Sequence, residues 1–280
     1  MRDKLYYESI ITFFTSFVFC GFVVFGLQSA EVAGHKSQSR QILNAGSSSI
    51  SSSFNPYIDV TNFWEVLIRS NGGQVRDFEK VSQMIMDKTP CIKSILLAPK
   101  GVVKYVYPLE GNERSMVNLL ADPNKKVEAD WAKKTGEITL TGPTELYQGG
   151  EGIIIRNPVY TSDKKDDESF WGFSEVIIKL PDFLLDDINL SYLSDDYNYR
   201  LWRSNPEDGR TNTIVESFDD LILRNPISDT FEVPNAHWTL SISPKKGWIN
   251  KYSLIIEMAF AVILSILIAI LNLSSFFLPL

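Results

Sequence analysis

The sequence predicts an α+β protein: a long N-terminal helix, then mixed antiparallel sheets carrying short helices, all set between two transmembrane helices. Three observations carry that prediction. Charged side chains are missing from residues 10–27 and from residues 258–280 of the 280-residue chain, and about 20 apolar residues suffice for a helix to cross a hydrocarbon core of about 30 Å. Val32, Ile42, Leu43, Ile50 and Phe54 recur at roughly helical spacing through a small, polar stretch with little Gly or Pro. From Ile92 onward the apolar period shortens to that of strands, and turn signals follow one another without long crossover helices.

The first charge-free stretch follows Arg2 and Lys4. Small residues Ser29 and Ala30 after it would suit cleavage, but the stretch exceeds the roughly 7–15 apolar residues of a signal-peptide core and reads as an uncleaved anchor. A cytoplasmic tail at 1–9 and a first span at 10–27 are expected. The second span is placed at 253–280, with Trp248 and Tyr252 as interfacial aromatics and Lys251 able to snorkel. Glu257 is expected at the headgroup level, because a carboxylate deeper in lipid is costly. Two spans leave both termini on one side and residues 28–252 on the other. A loop of that length is a folded domain.

Within the loop, the Ser-rich segment around 45–53 could be a flexible linker, but its apolar spacing favours a helical stalk. A second helix with Phe63, Trp64, Leu67 and Ile68 on its apolar face ends at Asn71-Gly72-Gly73, and a third opens near Val75 and ends at Thr89-Pro90. Runs 92–98 and 102–108 are strands joined through Pro99-Lys100-Gly101. A helix follows from Asp122 to about Lys134, stopped by Gly136. Strands are expected at 137–141, 152–160 and 171–180, a short helix at 181–185, then strands at 197–202, 231–233 and 238–242.

Composition excludes several functions. With 27 Lys+Arg against 34 Asp+Glu, a net charge of −7, the chain has no basic excess with which to neutralise phosphates, so no nucleic-acid partner is expected. Two cysteines rule out a disulfide scaffold and a Cys-based zinc site, and two histidines leave little material for a His-based metal centre. Cys20 falls in a span and Cys91 in the loop, so they cannot pair. Gln148-Gly149-Gly150-Glu151-Gly152 lacks phosphate-loop spacing and leads into the strand-like Ile153-Ile154-Ile155, with no helix N-terminus to receive an anion. Nothing resembles a nucleophile elbow. The expectation is a protein that is not an enzyme and carries no cofactor.

An ordered set of short motifs points further: Ala98-Pro99-Lys100-Gly101-Val102-Val103, Tyr107-Pro108-Leu109-Glu110-Gly111-Asn112-Glu113, Leu140-Thr141-Gly142-Pro143, Arg156-Asn157-Pro158-Val159-Tyr160, Phe170-Trp171-Gly172-Phe173 and Val233-Pro234-Asn235-Ala236-His237-Trp238. Taken together they resemble a CHASE domain, the extracellular sensory module found ahead of histidine kinases and nucleotide or diguanylate cyclases. The resemblance covers roughly residues 60–250. One departure is Met116-Val117-Asn118-Leu119-Leu120, where the family often has a Gly-containing turn. The resemblance implies tandem PAS-like lobes: stalk helices over 28–76, a distal lobe over 77–185 and a membrane-proximal lobe over 186–252. It also implies an extracytoplasmic loop on a two-pass protein of the plasma or inner membrane.

Five residues are singled out for a ligand. Arg156 interrupts an apolar run and needs either a salt-bridge partner or a ligand anion if it points inward. Trp171 and Tyr107 could wall a small flat molecule, though core packing is the plainer use of such aromatics. Asn112 and Gln148 offer amides to orient it. The expected function is a sensor input domain that binds a small molecule and passes a signal to an output domain, kinase or cyclase, outside this chain. The alternative is a ligand-free, membrane-tethered interaction protein or a remnant of a truncated sensor. Apolar positions along a lone stalk argue for a homodimer that would bury them.

Overall fold

The computed structural model describes residues 2–146, 149–204, 211–217 and 223–275. Helix α1, Arg2–Ser53, runs unbroken from the first apolar stretch into the stalk, about 78 Å at about 1.5 Å per residue. It breaks at Phe54 and continues as α2, Asn55–Ser70. Pro56 enforces the break, since its ring has no N–H and would clash with the preceding turn. Gly72 and Gly73 take left-handed φ of 61° and 83° and end α2, with Gly73 N–H on the Ile68 carbonyl at 2.8 Å. Helix α3 is Phe78–Met86.

Strands β1, Ile92–Pro99, and β2, Tyr105–Tyr107, form the expected hairpin. Lys100 and Gly101 both have positive φ in its turn. β2 is shorter than expected because Val103 leaves the hairpin to bond the Val117 carbonyl at 2.9 Å. Helix α4, Lys126–Thr135, starts later than the sequence suggests, as residues 122–125 form a turn around the Asp122 carboxylate. It stops at Gly136 with φ 69°. β3, Thr139–Glu145, β4, Glu151–Tyr160, and β5, Phe170–Lys179, complete a five-stranded antiparallel sheet of order β2-β1-β5-β4-β3. A one-turn α5, Leu180–Asp182, passes into a π-helical turn, Phe183–Ile188, and a 3-10 turn, Leu190–Leu193. A second antiparallel sheet of order β7-β6-β9-β8 follows, from β6, Tyr197–Ser204, β7, Thr211–Glu216, β8, Ile227–Val233, and β9, Ala236–Pro244. Helix α6 is Lys251–Ser275. This is the α+β architecture of tandem PAS-like lobes on a stalk.

The sheets pack differently. The first is covered on both faces. Its inner face, with Ile95, Ile153, Ile155 and Val176, shares a core with Tyr57, Trp64 and Ile68 of α2 and Phe78 of α3. Its outer face, with Leu96, Ile154, Phe173 and Ile177, lies under Ala129 and Ala132 of α4 and Leu119 of the preceding loop. The second sheet puts Leu201, Trp238, Leu240 and Ile242 into the core that holds Leu43, Ile50 and Phe54 of the stalk. Phe54 meets Trp238 edge to face at 5.2 Å. Each such side chain contributes about 1.5–3 kcal/mol of burial.

That packing removes the premise for stalk pairing. Leu43 and Ile50 are fully buried, and Val32 and Ile42 half-buried, against the chain's own core. The stalk presents no exposed apolar seam at these positions for a second copy to cover.

Helices α1 and α6 are each long and apolar enough to cross a membrane. They lie side by side through Cys20, Val24, Leu254 and Ala261. Gln28 Nε2 donates to Glu257 Oε2 at 2.9 Å and Ser253 Oγ to Glu257 Oε1 at 3.0 Å, so the carboxylate at the start of the second span is hydrogen-bonded. Farther along, Asn272 Nδ2 donates to Thr12 Oγ1 at 2.7 Å. The outward side chains, among them Phe14, Phe19, Phe22 and Phe260, are apolar and exposed, as a lipid-facing surface requires.

Candidate ligand site

Strand alternation decides which face each candidate residue meets. In β4, Ile153 and Ile155 point to α2, so Ile154 and Arg156 point the other way, toward α4. Register sets Arg156 directly opposite Glu175 of β5, with Thr139 of β3 on its other side and Leu96 of β1 beyond Glu175. One row across the sheet therefore reads Thr139, Arg156, Glu175, Leu96.

The Arg156 and Glu175 side chains are 1% and 3% exposed. Arg156 Nε donates to Glu175 Oε1, and the guanidinium lies 5.7 Å from the Phe173 ring centre. The anionic partner that the sequence demanded is therefore Glu175, which meets the salt-bridge reading. Arg156 Nη1 is still buried without a partner among the described residues, as is Thr139 Oγ1. An unpaired buried donor costs about 1–3 kcal/mol, more when charged. Lys125, just ahead of α4, is close enough to feel both charges. Burial pushes its ammonium below the ordinary lysine range, Glu175 pulls it back up and Arg156 pushes it further down. Asp122 and Glu128 also act on Lys125, and the spare Arg156 donor suits a carbonyl, carboxylate or other acceptor on a small molecule.

Tyr107 and Trp171 fall elsewhere. Tyr107 alternates with Val106 and faces the inner core beside α3. Trp171 sits at a β-bulge, since Val159 pairs with Gly172 and Tyr160 with Phe170. The bulge re-aims its indole toward the α2–α3 connection, where Nε1 donates to the Gly73 carbonyl at 2.8 Å. Gly172 has φ 149°, and a Cβ there would collide with the Ala98 carbonyl oxygen. Opposite faces of one sheet cannot line one pocket, so Tyr107 and Trp171 do not share a site with Arg156. Asn112 is buried in the loop after β2, with Nδ2 donating to the Pro108 carbonyl at 2.9 Å. Gln148 lies outside the described residues.

Sequence reasoning missed Glu175, Thr139 and Lys125. Glu175 carried the same signal as Arg156, a charge alone in the apolar run 173–178. The inner face shows the contrasting arrangement: Asn157 Nδ2 donates to Asn62 Oδ1 at 3.1 Å and to Glu65 Oε2 at 3.0 Å, a polar contact that docks α2 on the sheet.

Comparison of the sequence with curated proteins finds no match. Among solved structures, an extracellular ligand binding receptor from Desulfohalobium retbaense is similar in fold, with a TM-score of 0.54 at 12% identity over 73% of this chain. This chain spans 40% of that receptor's length. The LuxQ periplasmic domain of Vibrio cholerae scores 0.41 at 13% identity, covering 73% of this chain and 99% of that one. The sensory domain of the Campylobacter jejuni chemoreceptor Tlp3 scores 0.37 at 14% identity, covering 87% and 96%. Identities this low speak to fold alone, and the two lower scores carry no argument. The CHASE domain family model matches residues 79–211, which include β1 to β5 and the Arg156–Glu175 row. Residues 79–211 are therefore similar to a CHASE domain.

Proposed function

We propose that this chain is the input portion of a membrane-anchored receptor. The chain crosses the plasma or inner membrane twice, with residues 28–252 outside the cytoplasm. The distal lobe, taken as 77–185, holds a small acceptor-bearing molecule in the layer between the first sheet and α4, against Arg156. The membrane-proximal lobe, 186–252, and the stalk carry the resulting displacement to the spans. The observation that carries this reading is continuity: α1 enters the lobes directly from the first apolar stretch, and β9 returns to α6 through only residues 245–250. A ligand shifts such an assembly only by its differential affinity for two arrangements. Coupling of about 1–3 kcal/mol would change output about 5- to 150-fold.

The test uses the full chain in nanodiscs and a small-molecule library rich in carboxylates and carbonyl compounds, read by thermal shift. A hit at 100 times its Kd should stabilise the protein by about 2.7 kcal/mol. Thr139→Val removes an orphaned hydroxyl with little change of shape, so it should weaken the hit while leaving the unliganded melting temperature nearly unchanged. Arg156→Met should abolish binding. Hits indifferent to both variants would place the site elsewhere. Fusing the chain to a cyclase domain then tests transmission: tight binding without any response would sink that half of the reading.

A further inference from the structure

A cavity of about 470 Å³ lies where the two lobes meet. Val127, Glu128 and Trp131 of α4 form one wall, Thr141 of β3 the floor, and Arg203 of β6 with Asn235 of the β8–β9 turn the far wall. It is separate from the Arg156 layer, because α4 turns Ala129 and Ala132 onto the first sheet and this other side to the cleft. Two hydrogen bonds already join the lobes at its edge: Arg203 Nη1 to the Gly142 carbonyl at 2.7 Å, and Leu140 N–H to Asn235 Oδ1 at 2.5 Å.

The lining is not what a scaffold alone needs. Arg203 Nε and Thr141 Oγ1 are buried without partners among the described residues. Burial pushes the Arg203 guanidinium below its ordinary range, and Glu128 is near enough to counter that. Yet among the described residues the two form no ion pair, so opposite charges line one cleft without touching. Trp131 is 38% and Val127 61% exposed on an otherwise charged helix. The cleft therefore has a corner for an anion, a corner for a cation and an apolar wall. We propose that it binds a small zwitterion with an apolar body, its anionic group on Arg203 and Thr141, its ammonium on Glu128 and its body against Trp131 and Val127. Such a molecule would fasten β3 to the β8–β9 turn, and β9 leads on to α6. The proposal does not depend on a ligand at Arg156.

Calorimetry on the full chain in nanodiscs tests it with phenylalanine, tryptophan and leucine as probes. 3-Phenylpropionate, which lacks the amine, and phenethylamine, which lacks the carboxylate, serve as controls. At least one zwitterion should bind saturably, with each single-charge analogue of phenylalanine about tenfold or more weaker. Glu128→Gln should weaken phenethylamine while sparing 3-phenylpropionate, and Trp131→Ala should weaken all probes. Neither substitution touches the lobe-joining hydrogen bonds, so both variants should stay folded. Saturable binding by none of the three zwitterions overturns the proposal, as does binding indifferent to both cleft variants. Binding lost in Arg156→Met but kept in the cleft variants would move the ligand to the distal layer and overturn this site alone.

Discussion

Both lobes carry an arginine set directly across from a glutamate on a neighbouring strand. In the distal sheet Arg156 of β4 faces Glu175 of β5, with side chains 1% and 3% exposed. In the membrane-proximal sheet Arg200 of β6 faces Glu216 of β7, at 28% and 39%, with Nε and Nη2 both on Glu216 Oε2 at 2.9 and 2.8 Å. The chemistry is the same and the surroundings differ. The distal sheet is sandwiched between helices, so its pair is cut off from water. The proximal sheet lies on the stalk with one face only. Its other face carries hydroxyl pairs, Ser228 with Ser241 at 2.8 Å and Thr230 with Thr239 at 2.9 Å. A charge pair with an unpaired donor is costly when buried, whereas a pair that stands partly in water costs little. Under the function proposed above, a ligand in that layer accounts for the buried pair, whereas the second sheet braces the stalk.

The largest effect that could break this contrast comes from dividing the distal pair. Arg156→Met leaves Glu175 charged and buried, and denaturant unfolding should show a loss of about 3–5 kcal/mol. Replacing both, Arg156→Met with Glu175→Leu, should recover most of it, because two apolar side chains fill the layer without stranding a charge. A double variant as unstable as the single one would mean that the pair is integral to folding rather than retained for binding.

Next in size is the stalk. Leu43→Ala should cost about 2–5 kcal/mol, the range for emptying a packed leucine site. Cysteines placed one at a time at positions 39, 43 and 46 should give no crosslink between copies, since Ser39 and Leu43 are buried and Gly46 lies against Tyr192 and Leu240. Efficient crosslinking at these positions in membranes would mean that the second sheet lifts off the stalk.

These tests also mark what the sequence could convey. The two long apolar helices, the stalk and the strands of the first sheet were legible, because each rests on a local period or a turn residue such as Gly101 or Gly136. β7 was not foreseen: Thr211 to Glu216 is a polar edge with four of its six residues exposed and no apolar alternation to read. β8 was seen only at residues 231–233, as Asp229 obscures the period that Ile227 begins. The need of Arg156 for a partner was readable from its apolar neighbours. The choice of Glu175 was not, since strand register is a long-range property. The grouping of Tyr107 and Trp171 with Arg156 failed for a related reason. A bulge of one residue turned Trp171 to the opposite face, and nothing local announces it.

A smaller effect concerns pH at the junction of α2 with the π-helical turn. Tyr57 donates to Asp187 beside Cys91, and burial, reinforced by Asp187, holds its phenol protonated well above the ordinary value of 10.0. The unfolded tyrosine loses its proton near pH 10, so the native state binds more protons above that point. Stability should be intact below pH 10 and fall as pH climbs past it. Tyr57→Phe should make the fall shallower. It should not abolish it, because burial also raises Tyr160, Tyr192 and Tyr199. An unchanged alkaline slope in the variant would show that Tyr57 is solvated in solution.

The smallest expected change is the proximal counterpart of the first. Arg200 and Glu216 stand partly in water, where Coulomb attraction is weak, side-chain ordering offsets much of it, and salt screens the rest. Glu216→Gln should alter stability by no more than about 1 kcal/mol at low ionic strength. Glutamine keeps an acceptor for Arg200 and its shape, so only the charge is lost. The difference should shrink further in 1 M NaCl, where the screening length is about 3 Å. The distal pair should respond little to the same salt, because counterions do not enter its layer. Measuring both variants across a salt series therefore separates burial from chemistry directly. If Glu216→Gln cost as much as Arg156→Met, or if the distal variant's deficit vanished in salt, the two pairs would be equivalent, and the distal pair would not be shielded from water.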